Sequence, residues 1–337
     1  MHIPENYLSP STCAVLGVAM LPIWGFAIKK VKEEIKKEKL PFIGICAAFS
    51  FLGMMFNIPL PGGTTGHAVG GTLIAILIGP HAACLALSVA LLIQALFFGD
   101  GGILAFGANC FNMAFLLPYA GYYIYRLIIS KFNSTKGEIV AAGLGSYVGI
   151  NLAALAAAIE FGIQPMLFTN ELGQALYCPY PLSISIPAMM VGHLTLFGLA
   201  EVVFTVALLA FLKKTSPELL RQEEEISFKY SYAAVVAFIV LSPLGLLATG
   251  TAWGEWDPKE LAEMDYMGKP LGYTPQGMTT GFSIDALFPD YAISGLPEWF
   301  GYILSAIIGT AILVILFKLT ALLFNRKTNS ENQAVMA

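Results

Sequence analysis

Two long stretches of this chain carry no acidic or basic side chain. Residues 40–99 contain no Asp, Glu, Lys or Arg, and after the single Asp100 the same holds for residues 101–125. A water-soluble fold cannot cover its surface from such material. Hydrophobic residues make up 57% of the 337-residue chain and charged residues only 12%, about half the charged share of an ordinary soluble domain. Lipid offers no partner to an open backbone polar group, so the spans must be helical. The fold class read from this is an all-α membrane protein.

The formal net charge of −4 says little about partners; the placement of charge says more. Nearly all 18 Lys and Arg fall within residues 29–39, 126–136, 213–229 and 318–327. Basic residues beside apolar spans mark the cytoplasmic side. Short clusters in this setting are topology markers, and no nucleic-acid partner is expected. Residues 9–28 form the first expected span, with a basic cluster directly after it, which places the amino terminus outside. No basic region precedes that apolar run, so the reading is a retained helix with Met1 exposed outside, not a cleaved signal peptide.

Both of the first two basic clusters should lie inside, so an even number of crossings must separate them. Spans are expected at about 41–58, 68–79, 81–98 and 108–129, the second too short to cross unless tilted or shielded by neighbours. Residues 139–161 then cross outward and 186–212 return. This gives a seven-helix core over residues 1–212, followed by a cytoplasmic linker, 213–230, containing Glu223, Glu224 and Glu225. Residues 231–337 read as a two-helix extension with spans at 232–249 and 299–324, around a large polar outside loop, 251–298. The expected total is nine helices, with the carboxyl terminus inside. Gly143, Gly145, Gly149 and the alanine-rich residues 153–158 suit close helix packing, and would equally suit docking of another membrane subunit.

Enzyme motifs are missing. There is no G-x-x-x-x-G-K-[ST] phosphate loop, hence no ATP site in this chain, and neither H-E-x-x-H nor G-x-S-x-G occurs. The five cysteines form no CxxC pair and read as packing residues. The histidines are more informative. His2 stands beside the amino terminus, and His67 ends a Pro/Gly-rich turn on the same predicted face. The His2 imidazole, its amide nitrogen once deprotonated and the Met1 amine can close two fused chelate rings around one ion. A second imidazole, His67, would fill the fourth corner. Tetragonal nitrogen coordination suits Ni(II) or Cu(II) and admits Co(II), with affinity rising with pH as protons are displaced. The plain alternative is a frayed His2 and a helix-capping His67.

His81 reads as a helix-start residue on the cytoplasmic side. His193 and Glu201 lie in the seventh span, where ionisable groups are costly and functional by default. They are separated by about 12 Å of helical rise and turned roughly 80° apart, so no direct pair is expected. His193 is placed to support the metal site through a hydrogen bond or to anchor structure; Glu201 is assigned a coupling or structural role.

At these residues the sequence resembles the CbiM/NikM family, the substrate-binding membrane components of energy-coupling factor transporters for cobalt and nickel. Met1-His2-Ile3-Pro4, Pro61-Gly62-Gly63-Thr64-Thr65-Gly66-His67, Phe98-Gly99-Asp100-Gly101-Gly102, Gly107-Ala108-Asn109, Phe111-Asn112-Met113-Ala114 and Gly192-His193 with Glu201 and Thr205 carry the likeness. It departs at Glu5-Asn6, where the family usually has Asp-Gly, and at His81, where an apolar or aromatic residue is usual. The resemblance implies Ni(II) or Co(II) as transported substrate, held by the Met1 amine, the His2 amide and ring and the His67 ring. Thr64, Thr65, Asn109, Asn112 and His193 are the supporting candidates. It also implies a membrane coupling subunit and two cytoplasmic ATPase subunits as partners. The extension is similar to a small accessory membrane subunit, here fused, although residues 253–257 lack that subunit's usual acidic-glycine pattern. Two rival readings are a self-sufficient metal permease, which would favour charged groups in several spans, and a membrane enzyme or sensor using the 251–298 loop.

Overall fold

The computed structural model of the protein describes residues 1–35, 39–60, 64–218, 228–266 and 269–336. Pro61, Gly62 and Gly63 of the turn before His67, and the acidic run Glu223–Glu225 of the expected linker, lie outside the described residues. Most of the described residues are helical. Among the described residues, six helices are long and apolar enough to cross a membrane.

Helix α1 (Pro10–Glu34) is capped by Ser9, whose hydroxyl accepts from the Thr12 amide, with Pro at its first turn. Its apolar face is mostly open: Val15, Val18, Leu21, Phe26 and Ile28 are exposed. On a 25-residue apolar helix such a face is lipid-facing surface. Helix α2 (Leu40–Met54) is only 15 residues long but buried along almost its whole length. A hairpin of β1 (Ile58–Leu60) and β2 (Thr64–Gly66) follows.

The segment at 68–79, expected to be too short to cross unless tilted or shielded, is shielded by its neighbours. It forms only α3 (Gly71–Ile78), eight residues long. Left-handed Gly70 (φ 73°) starts it, and Gly79 (φ 84°) with Pro80 ends it. Six of its eight residues are buried, so neighbouring helices take the place of lipid and full crossing length is not needed. A count of nine crossings is therefore not reached by helix length.

Helix α4 (Pro80–Ile93) continues as a π-helical turn, Gln94–Phe98, that stops at left-handed Gly99. Helix α5 (Phe106–Asn109), a π segment (Cys110–Leu116) and α6 (Leu117–Ile129) follow one another without a break. Helix α7 (Thr135–Gly162) packs closely along α6. The expected glycines explain how: a Cβ at Gly145 would meet the Gly121 carbonyl oxygen at 2.5 Å, and one at Gly149 the Leu117 oxygen at 2.6 Å. Gly143 meets only valine side chains of the last core helix at ordinary distance. After the short α8 (Gln164–Leu167) comes α9 (Leu182–Gly192), a third π segment (His193–Phe197) and α10 (Gly198–Thr215). All five cysteines are buried and unbridged, in keeping with a packing role.

The carboxyl-terminal part adds α11 (Lys229–Leu241), β3 (Thr251–Ala252), α12 (Pro258–Glu263), α13 (Gln276–Thr280) and α14 (Glu298–Met336). Helix α14 lies against α2 and supplies the cover that α2 would otherwise take from lipid. Strand β3 pairs in parallel with β2, matching Thr64 with Thr251 and Thr65 with Ala252. The three-stranded sheet β1-β2-β3 thus joins the extension to the turn that carries His67.

Candidate metal centre

The amino-terminal segment is not exposed. Met1, His2 and Ile3 are all buried, at 4%, 2% and 0% exposure, which corrects the expectation of an open Met1. Backbone pairing that no local signal announces holds the segment in. The Ile3 amide donates to Asn109 Oδ1 at 2.8 Å, and Asn109 Nδ2 donates back to the Ile3 carbonyl at 3.0 Å. The Gly102 amide donates to the same carbonyl. Glu5 accepts from the Ile103 and Leu104 amides. That clamp depends on the missing side chain of Gly102, where a Cβ would lie 2.7 Å from the Glu5 nitrogen. Farther along, the Tyr7 hydroxyl donates to the Trp256 carbonyl of the extension, and Gln164 receives the Ser9 amide.

This plug brings His2 against His67. Nδ1 of His2 lies 3.2 Å from Nε2 of His67. His67 Nδ1 faces the Ala68 carbonyl at 3.3 Å. A carbonyl can only accept, so the His67 proton sits on Nδ1 and Nε2 presents a lone pair. The His2 Nδ1 proton then has two acceptors, His67 Nε2 and Asp100 Oδ1, the latter at 3.0 Å. Two nitrogens in adjacent corners of a planar site, each about 2 Å from the ion, stand about 2.8 Å apart. The observed spacing is close to that edge.

Burial, then the nearby terminal ammonium, brings the His2 pKa down to about 4. Burial, followed by the charge of His2 and the ammonium, holds His67 well below its ordinary value. Although His2 and Asp100 lie at ion-pair distance, the desolvated ring is therefore neutral and the contact is a hydrogen bond. Both imidazoles are neutral: His67 presents a lone pair on Nε2, whereas His2 must give up its Nδ1 proton or move it to Nε2 before Nδ1 could ligate. The Met1 ammonium donates to Glu255 Oε1 at 3.2 Å. Among the described residues no group of three or more His, Cys, Asp or Glu side chains is arranged to hold a metal ion. Beside these two rings the main chain offers the Met1 amine and the His2 amide nitrogen.

The other expected residues divide. Asn109 holds the Ile3 backbone through both its amide and its carbonyl. Thr65 is buried in β2, paired with the extension, and Thr64 shares that strand. His193 Nδ1 donates to the Met189 carbonyl, and its ring meets Phe197 edge-on. Asn112 is placed elsewhere, donating to Glu160 of α7. His81 opens α4 and bonds the Tyr119 hydroxyl, as a helix-start residue would. Glu201 reaches neither His193 nor the rings; its carboxylate receives the Val69 and Gly70 amides.

Sequence reasoning missed Asp100, Gln94, Glu255 and Tyr291. Asp100 Oδ2 receives the Tyr291 hydroxyl at 2.5 Å and Gln94 Nε2 at 3.0 Å, leaving Oδ1 for His2. Burial raises the Asp100 pKa, and these donors and the ammonium act against that rise. Tyr291 and its neighbour Asp290 both hold left-handed backbone, φ 62° and 53°, an uncommon state for such residues. Asp100 carried a usable signal, being the lone charge between two charge-free runs; Glu255 and Tyr291 carried none. A cavity of about 570 Å³ opens beside the rings, lined by Asp100, Glu255, Asp290 and Glu298 among others. A low-dielectric cleft of one sign concentrates ions of the other.

The sequence profile of the cobalt uptake substrate-specific transmembrane region, CbiM, matches residues 2–219, and that of the PDGLE domain matches residues 227–326. The chain is 54% identical to the probable fused nickel transport protein LarMN of Lactiplantibacillus plantarum, over 96% of this chain and 97% of that one. It is 45% identical to the fused nickel transport protein NikMN of Rhodobacter capsulatus, over 93% and 95%. Two crystal structures, of a truncated transition metal transporter and of a transition metal transporter, match at 54% and 52% identity, each with a TM-score of 0.60. They cover 64% and 69% of this chain and 99% of their own. With full-length relatives named as transport proteins and a fold that is helical and multiply membrane-spanning, this chain belongs to the CbiM family of metal-uptake membrane proteins, joined to a PDGLE domain, and is a transport component and not an enzyme.

Proposed function

We propose that this protein is the substrate-binding membrane component of an ATP-driven energy-coupling factor transporter. It binds Ni(II) or Co(II) outside and releases it inside, with a membrane coupling subunit and two cytoplasmic ATPase subunits as partners. The amino terminus lies on the outer face and the carboxyl terminus inside. Residues 1–212 form the metal-binding core, 213–230 a cytoplasmic linker and 231–337 the extension. The relatives that match over the whole length are named for nickel, and a planar four-nitrogen set suits Ni(II).

The observation that carries this reading is the 3.2 Å approach of the His2 and His67 ring nitrogens beside the buried amino terminus. The Met1 amine, the His2 amide and ring and the His67 ring supply the ligands. Binding displaces protons from the amine and the amide, so affinity rises with pH. Asp100 orients His2, Asn109 fixes the plug, and the extension contributes Glu255 and the cavity wall. The test is metal retention by purified full-length protein, measured by elemental analysis with an absorption spectrum. Acetylation of Met1, insertion of one residue before His2, and His67→Ala should each abolish stoichiometric Ni(II). Retention in any one of them overturns the proposed ligand set.

A further inference from the structure

Phe197, the last residue of the third π segment, and α10, which continues from it, touch the His67 segment at three successive positions of one face. Phe197 lies over Gly66, where a Cβ would meet its ring at 2.7 Å. Glu201, one turn on, receives the Val69 amide at 2.7 Å and the Gly70 amide at 3.0 Å. Phe204 closes on Gly70, where a Cβ would come within 2.6 Å of its ring. The spacing i, i+4, i+7 keeps all three on one helical stripe. They grip residues 66–70 from both sides of His67. Glu201 is fully buried, and its contacts are charge-assisted bonds to two backbone donors at the start of α3, a helix with no side-chain cap of its own.

We infer that Glu201 is a positioning residue for the metal centre, fixing the height and orientation of His67 from α10. The inference rests on the proposed role of His67 as a ligand. The Ala68 carbonyl that bonds the His67 ring lies between the two points Glu201 and Phe197 hold, so a shift of either point moves ring and carbonyl together. In Glu201→Gln the charge is removed and one of the two oxygens becomes an N–H₂ group; the remaining oxygen can still receive the Val69 and Gly70 amides, so the grip on residues 69–70 is weakened while side-chain volume is kept. Supporting groups of this kind are worth about 10- to 100-fold in metal affinity.

The experiment is a titration of the full-length protein in detergent. Wild type, Glu201→Gln, His67→Ala and the double variant are titrated with Ni(II), and also with Cu(II), whose stronger binding keeps the three amino-terminal nitrogens measurable without His67. Expected for Glu201→Gln is a loss of about 10- to 100-fold in Ni(II) affinity with a shifted ligand-field band. Adding Glu201→Gln to His67→Ala should cost no further Cu(II) affinity, an outcome that general destabilisation would not give. Glu201→Asp, which keeps the charge but retracts it, should fall between, and serves if Glu201→Gln does not fold. Wild-type affinity and spectrum in Glu201→Gln, or a loss fully additive to that of His67→Ala, overturns the inference. Wild-type affinity in His67→Ala instead overturns the underlying ligand assignment.

Discussion

An imidazole held away from water stays neutral at a pH where a solvated histidine takes up a proton. Burial does this for His2 and His67, and the sign of the effect on folding follows from it. Between the ordinary histidine value of 6.5 and the His2 value of about 4, the unfolded chain takes up protons that the folded chain does not. The folded state is thus favoured by neutral rings above that window, and this stabilisation is lost as pH falls through it. Thermal unfolding of metal-free protein across the window should show a fall in stability. The fall should be shallower in His2→Gln/His67→Gln, which has no imidazole to titrate there. At this scale the sequence was informative about the two histidines because main-chain chelation needs position 2 and nothing else. It said nothing of Met1 burial, since Asn109 and Gly102 hold the plug from more than 90 residues away in sequence.

At the scale of elements, small residues decide which helices meet. Gly149→Ala places a methyl against the backbone of α6 with no side chain free to yield, whereas Gly143→Ala faces only valine methyls. The first should cost about 1–3 kcal/mol by overpacking, the second less than about 0.5 kcal/mol. Thermal unfolding in detergent separates them; equal losses would show that α6 and α7 do not pack as described. The glycine pattern in α7 was legible because close approach needs the same residue type whatever the partner. The short α3 was legible in part: its length showed that it needs tilt or shielding to cross, but not that neighbouring helices bury it. The π segments escaped because hydropathy is unchanged when one residue is inserted into a helical turn. The third of them holds Thr195 at φ −115° and ψ −106°, outside helical geometry, directly before α10. Such bulges mark places where a helix can change direction.

For the whole molecule, the charge-free stretches announced a membrane protein. The joining of core and extension was invisible, because Thr65 with Ala252, Met1 with Glu255 and Asp100 with Tyr291 are pairings across nearly two hundred residues or more. Their product is an acidic cavity beside the rings. Removing two of its charges with Asp290→Asn/Glu298→Gln should slow Ni(II) association by about tenfold at low salt. Asn is chosen at position 290 because it tolerates the left-handed backbone there. The difference should shrink as salt is added, and stopped-flow measurement of binding rates at two ionic strengths checks it. An unchanged rate at low salt would remove steering from the role of the cavity.

The parallel strand that the extension lays on β2 also sets an order of events. The ribosome completes the hairpin and most of the core helices long before Thr251 emerges. Until then β2 presents an unpaired edge, and Glu255 is not yet there to meet the terminal amine. The wall that the extension adds beside the two rings is therefore made only after the core helices, and a chain whose synthesis stops before Thr251 leaves its first histidine without that wall.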